Sequence, residues 1–162
     1  MKLFTVGYEG ASLDEFMLAL KKHHIRCIAD LRKNPVSRKR GFSKKLLGEG
    51  LDAQGIAYIH LPGLGTPTEW RKQEKEGLLS RKKMFNNYVK KVLPQHPDDL
   101  RTLQKLMSRK GLALLCYEAD ASDCHRSFVA QELTRLEKGA VQTVNIQVLP
   151  LKIPHGNIKL FR

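Results

Sequence analysis

Leu3-Phe4-Thr5-Val6-Gly7-Tyr8-Glu9-Gly10-Ala11-Ser12-Leu13-Asp14-Glu15 begins as an apolar run and ends as a helix start. Residues 3–6 read as a strand, stopped by Gly7-Tyr8-Glu9-Gly10. Ser12 and Glu15 have the spacing of a capping box, in which the hydroxyl accepts from the Glu15 amide and the carboxylate reaches back. Leu13, Phe16, Met17 and Leu20 share one helical face, and the helix is expected to end near His24. Cys27-Ile28-Ala29-Asp30-Leu31-Arg32 is a second strand, too apolar at its start to have a wet face. Strand, helix and strand in about thirty residues make a βαβ unit with parallel strands and a right-handed crossover.

Further along, Asn34-Pro35 and Gly41 break a loop over 33–43. A short helix is expected over Lys44–Gln54 and a third strand over Ile56–Leu61, ended by Pro62-Gly63-Leu64-Gly65. The charged stretch Thr68–Lys83 reads as partly helical and superficial. Met84, Phe85, Tyr88, Val89 and Val92 mark an amphipathic helix stopped by Pro94. Pro97 suits the first turn of another helix, whose C-cap is assigned to Gly111. A fourth strand over 112–117, a helix to about Lys138 and a fifth strand over Val141–Leu149 complete the chain. Val144, Ile146 and Val148 alternate with Asn145 and Gln147, as on a sheet edge with one wet face. The expectation is one α/β domain over 1–162, with no repeat or linker. Its core would be a mainly parallel five-stranded sheet with helices on both faces, three-layered and Rossmann-like.

At 162 residues the chain fits a single core. No apolar run reaches membrane-spanning length, and the first residues are too soon broken by Gly7 for a secretory signal. Three cysteines are an odd count for a disulfide framework, so a reducing, cytoplasmic setting is expected. Cys27 reads as a buried small hydrophobe. The net charge of +13 is the strongest compositional feature, and ten Lys or Arg fall between Lys21 and Lys45 against one acid, Asp30. A second basic block runs from Arg71 to Lys91. Such an excess favours an anionic partner, a phosphorylated small molecule or nucleic acid. A solvated basic surface that keeps the protein soluble is the alternative.

Parallel strands place ligand sites just beyond their carboxyl ends. On this reading one rim gathers Tyr8 and Glu9, Asp30 and Arg32, His60, and Cys116 with Glu118. Asp30 and Arg32, two apart, point to the same side, either as a simple ion pair or as part of a site. After the fourth strand, Ser122 is a candidate N-cap, which would set Cys124, His125 and Arg126 in a first helical turn. Exposed amides and the helix dipole favour an anion there, and Arg126 adds a fork for phosphate or carboxylate. Cys124 would then have a lowered pKa and be a candidate nucleophile. Against that, His125 shares a face with Val129, Leu133 and Leu136, and a free Cys is commonly just buried.

Cys116, Glu118, Cys124 and His125 offer S, O, S and N donors within ten residues. Their spacing matches no tight zinc pair, so no metal is assigned. GxxxxGK[ST], GxGxxG and GxSxG are absent. The loop Asn34–Ser43 carries Ser37, Arg38, Lys39 and Arg40 with Phe42. It would suit phosphate or a nucleic-acid backbone, or else be a solvated basic loop. Tyr8 and Trp70 could stack a base, although an aromatic at a strand end is more often core.

Gly7-Tyr8-Glu9-Gly10, Asp30-Leu31-Arg32 with Pro35 and Ser37-Arg38, Gly41-Phe42-Ser43, Tyr58-His60-Leu61-Pro62-Leu64-Gly65, and Cys116-Tyr117-Glu118 with Cys124-His125-Arg126 together resemble the DUF488 family. The resemblance covers about residues 3–136 in order. It implies a compact α/β domain whose shared polar residues cluster, and it carries no established reaction. The functional expectation is a small hydrolase or transferase binding an anionic, nucleotide-like ligand. Glu9, Glu118 and His125 are the acid–base candidates. Tyr8, Asp30, Arg32, Ser37, Arg38, His60, Cys116, Cys124 and Arg126 would surround the ligand. A non-catalytic nucleic-acid-binding module is the alternative, and the cofactor and oligomeric state stay open.

Overall fold

The computed structural model describes residues 1–151. The range 152–162 of the expected domain lies outside the described residues. Five parallel strands form one sheet: β1 (Lys2–Gly7), β2 (Cys27–Asp30), β3 (Ala57–His60), β4 (Leu112–Cys116) and β5 (Gln142–Ile146), in the order β3-β2-β4-β1-β5. β4 pairs with both β1 and β2, so the strands of the first βαβ unit are parallel but not adjacent. No local pattern in residues 3–32 reveals that a strand some eighty residues later inserts between them.

Alternation sorts the core into two layers. Leu112, Leu114 and Cys116 of β4 belong to one cluster, while Ala113 and Leu115 belong to the other, as a period of two requires. The first face is covered by α5 (Pro97–Met107), through Leu100, Leu103 and Met107, and by α6 (Arg126–Leu136), through Val129, Ala130 and Leu133. The second is covered by α1 (Leu13–Lys22), through Phe16 and Leu20, and by α2 (Lys44–Asp52), through Leu47 and Leu51. The arrangement is the expected three-layer α/β sandwich. The Ser12–Glu15 capping box forms in both directions at the start of α1. β5 is one edge strand and β3 the other; in β5 Asn145 is exposed and Ile146 buried.

Three local expectations are corrected. α5 ends at Met107, so Gly111 is not its C-cap. Gly111 sits at φ +73, and its carbonyl accepts from the amides of Arg26 and Cys27. A Cβ there would lie 2.8 Å from the carbonyl oxygen of His24, so this glycine admits the chain entering β2. Next, the charged stretch holds α3 (Thr68–Lys75) as expected, but the amphipathic helix of Met84–Val92 is divided into α4 (Arg81–Asn87) and a π turn over Tyr88–Val92, and Pro94 lies in the 3-10 turn Leu93–Gln95 that follows. Lastly, Ser122 does not cap α6. Ala121–Asp123 form one 3-10 turn, capped by the carboxylate of Asp120 on the Ser122 amide, and α6 begins only at Arg126. Cys124 is therefore extended chain ahead of the helix. Among the described residues no helix is long and apolar enough to cross a membrane.

Candidate functional site

The segments after β1 and β4 are joined main chain to main chain. The amides of Tyr8 and Glu9 both donate to the carbonyl of Tyr117, at 3.1 and 2.8 Å. Glu9 Oε2 accepts from the amide of Ala119 at 3.0 Å. Arg126, only 1 % exposed, lies beneath this junction and donates to the carbonyls of Glu118 and Ala119 at 2.6 and 3.1 Å. Its Nε is buried without a partner. Arg126 thus shapes the loop after β4 from within and does not present its fork to a ligand.

At the end of β2, Asp30 is fully buried. Its Oδ1 accepts from the Arg32 amide and from Arg32 Nε, at 3.0 and 2.9 Å. Its Oδ2 accepts from Arg32 Nη2 and from the Tyr58 hydroxyl, both at 2.6 Å. Arg32 Nη1 donates to the Tyr8 hydroxyl at 2.9 Å and to the Phe42 carbonyl at 2.6 Å. A buried pair survives desolvation only when its remaining donors and acceptors are met, and here they largely are. The ion-pair reading therefore describes Asp30–Arg32, with the guanidinium committed to Tyr8 and to the loop that ends at Phe42. Tyr8 stacks on Phe42 with ring centroids 4.3 Å apart, so it is core and not a free stacking platform. Trp70 likewise packs against the core. His60 Nε2 lies 2.8 Å from the Arg32 carbonyl. Ser37 clasps Ser43 through main-chain and hydroxyl bonds, which closes the basic loop.

On the other face of the sheet, Cys116, Cys124 and His125 converge, with all their donor atoms within 4.8 Å of one another. Cys116 Sγ lies 3.4 Å from His125 Nε2, which is also 3.2 Å from the Leu31 carbonyl. Burial pushes the Cys116 thiol well up, and the neighbouring Cys124 sulfur adds to the effect. Burial acts the same way on Cys124, but hydrogen bonds from Cys116 and His125 and the charge of Arg126 outweigh it and hold the thiol well below its ordinary value. His125 moves up despite its burial because it faces the Cys124 sulfur and Glu118. Burial and the Cys124 sulfur push Glu118 up to about 7. The lowered Cys124 is thus the work of its side-chain neighbours, not of a helix N-terminus.

A cleft of about 930 Å3 opens above these groups, between the strand-end loops and the α3–α4 segment. Of the expected site residues, Tyr8, Glu9, Arg32, Ser37, Arg38, Cys116, Glu118 and His125 line it, whereas Asp30, His60, Cys124 and Arg126 stand behind its walls. The opposite wall was missed: Thr66, Thr68, Arg71, Lys72, Lys75 and Arg81 face the same space. The basic block beginning at Arg71 was the available signal, but α3 has only the half-buried Trp70 packed against the core to betray which way it folds back. Arg81 crosses to the loop after β4, donating to Asp123 Oδ1 at 2.5 Å and to the Asp123 carbonyl at 2.7 Å. It also lies 3.8 Å from Glu118.

The family described as domain of unknown function DUF488 matches residues 12–133. The chain belongs to the DUF488 family. Gly7-Tyr8-Glu9-Gly10 lies just ahead of that stretch, while the DUF488 match takes in Asp30-Leu31-Arg32 and the whole segment from Cys116 to Arg126. Comparison with curated proteins and with solved structures produced no match.

Proposed function

We propose that this DUF488 protein binds an anionic, phosphate-bearing ligand in the strand-end cleft and acts on it as a small hydrolase or transferase. The observation that carries the reading is the composition of one concave space. Lys33, Arg38, Arg71, Lys72, Lys75 and Arg81 line it beside the carboxylates of Glu9, Glu74, Glu118 and Asp123, the last three paired with Arg81. Its volume of about 930 Å3 lies within the range of small-molecule sites, enough for a nucleotide-sized ligand. Arg38, Arg71, Lys72 and Lys75 are exposed and carry no ion pair in the described structure, so their charge is free for a phosphate. Arg32 and Arg126 act one step back by holding the walls. Glu118, half-buried beside His125, is the carboxylate best placed to move a proton, with Glu9 on the rim as the second.

The test is calorimetric titration of the full chain with AMP, ATP, pyrophosphate and a sugar phosphate, alongside an uncharged nucleoside. A phosphate-bearing compound binds and the nucleoside does not. Arg71→Ala with Lys72→Ala weakens binding by at least roughly tenfold, the effect of about 1.4 kcal/mol. Glu118→Gln leaves binding within a few-fold and abolishes turnover of whichever compound is consumed. No binding across the panel, or binding indifferent to Arg71 and Lys72, defeats the proposal.

The exposed Arg38 and Arg40 on the same rim favour a second reading, a non-catalytic nucleic-acid-binding module. It requires affinity for RNA or DNA that falls steeply with salt as phosphates release counterions. Charge reversal at Lys39 and Arg40 would then matter more than any change at Glu118.

A further inference from the structure

The chain spacing of Cys116, Cys124 and His125 fits no familiar zinc pattern, yet the fold brings their donor atoms within 4.8 Å of one another. We propose that Cys116, Cys124 and His125 bind a zinc-class divalent cation as a three-ligand site opening on the cleft. Cys116 arrives from the end of β4, while Cys124 and His125 arrive from the far end of the loop that leaves it. The loop is wound back by the Asp120 cap, the 3-10 turn and the Arg126 clamp, and this return is invisible to a spacing rule.

Three observations support the assignment. Tetrahedral zinc bonds of about 2.3 Å to sulfur and about 2.0 Å to nitrogen put those donors about 3.5 Å apart. Cys116 Sγ lies 3.4 Å from His125 Nε2 and 4.0 Å from Nδ1, on either side of that separation. Second, His125 has the outer contact that metal-bound imidazoles use. With Nε2–H donating to the Leu31 carbonyl at 3.2 Å, the ring's lone pair is on Nδ1, 4.0 Å from Cys116 Sγ. Third, two thiolates and an imidazole are the donors that borderline-soft zinc prefers, and two thiolates neutralise its charge.

Three protein ligands leave one tetrahedral position. Cys116 and His125 both line the cleft, so that position is for water or for an oxygen of the cleft's ligand, as at a catalytic zinc. Both cysteines bind as thiolates and the imidazole as the neutral ring, so the protons these groups carry are released to solvent. The inference goes beyond the anion reading and does not depend on it.

The test uses the full chain, stripped with chelator and titrated with Co2+ under reducing conditions. One Co2+ per chain is expected, with sulfur-to-cobalt charge-transfer bands and the intense visible bands of tetrahedral geometry. Zn2+ should displace it. Cys124→Ser and His125→Ala should weaken Co2+ binding by more than roughly 100-fold, beyond what loss of an outer-shell partner costs. Cys27→Ser, a thiol outside the cluster, should leave it unchanged. Should those variants fail to fold, alkylation of the wild-type chain decides: Zn2+ slows modification of two of its three cysteines, and EDTA restores it. A folded wild-type chain giving neither cobalt–thiolate bands nor zinc protection overturns the site. So do bands that survive in folded Cys124→Ser. Phosphate binding measured beside these titrations fails or persists separately.

Discussion

Gly7 and Glu118 meet main chain to main chain: a Cβ built on Gly7 would fall 1.8 Å from the carbonyl oxygen of Glu118. The end of β1 and the loop after β4 therefore touch with no room for a side chain, and that carbonyl is the one Arg126 holds. Gly7→Ala must push the loop away or unfold the strand end. The expected cost is ~3 kcal/mol, the upper part of the range for overpacking. Gly48, inside α2, is the control. Its Cβ would find Tyr58 at an ordinary 3.6 Å, so Gly48→Ala should stabilise by about 0.5–1 kcal/mol through helix propensity. Urea unfolding of the two variants checks both signs.

Asp30→Asn keeps the shape of the β2 terminus and removes its charge. Arg32, 7 % exposed, is then a buried cation without a counter-ion. The expected loss is about 3–5 kcal/mol, the cost of breaking a buried pair. Replacing both partners together, Asp30→Leu with Arg32→Met, should cost less than Asp30→Asn alone. Chemical denaturation of the single and double variants measures the difference.

The Tyr58 hydroxyl titrates well above its ordinary value of 10.0, because burial and the hydrogen bond to Asp30 both disfavour the phenolate. A group raised on folding stabilises fully below its unfolded value and loses that contribution as the pH climbs through the folded one. Stability should therefore decline as the pH rises beyond 10, with a delayed phenolate absorbance for Tyr58. Tyr58→Phe should remove that late phase and flatten the alkaline decline. An unaltered titration curve in the variant would count against the contact.

Arg126→Met leaves the Glu118 and Ala119 carbonyls without their donors. The expected loss is ~3 kcal/mol, from two acceptors at 1–3 kcal/mol each. Hydrogen exchange should rise in residues 117–123. Arg126→Lys should recover little, since an ammonium cannot span both carbonyls as the planar fork does.

Arg81 tethers α4 to the loop after β4 from outside, but its side chain is a third exposed. Water screens such pairs, so Arg81→Ala should cost about 1 kcal/mol or less in global stability. The Asp123 end of the loop should nonetheless exchange faster. A loss as large as that of Arg126→Met would reverse this ranking of the two arginines.

The strand–helix–strand opening, the capping box at Ser12, the apolar β4 and the wet edge at Asn145 were all legible in the chain, because each rests on spacing between near neighbours. So was the gathering of polar residues at strand ends, which follows once the strands are parallel. Three things were decided only by tertiary contact. β4 entered between β1 and β2 because long-range pairing sets strand order. The arginine-bearing wall of α3 and α4 folded over the strand ends although α3 sets only the half-buried Trp70 against the core. Most consequentially, residues nine apart, Cys116 and His125, became neighbours when Arg126 and Asp120 wound the intervening loop back on itself. Local chemistry specifies elements, but which elements meet depends on how apolar faces and buried donors are satisfied across the whole chain, and no window of sequence contains that information.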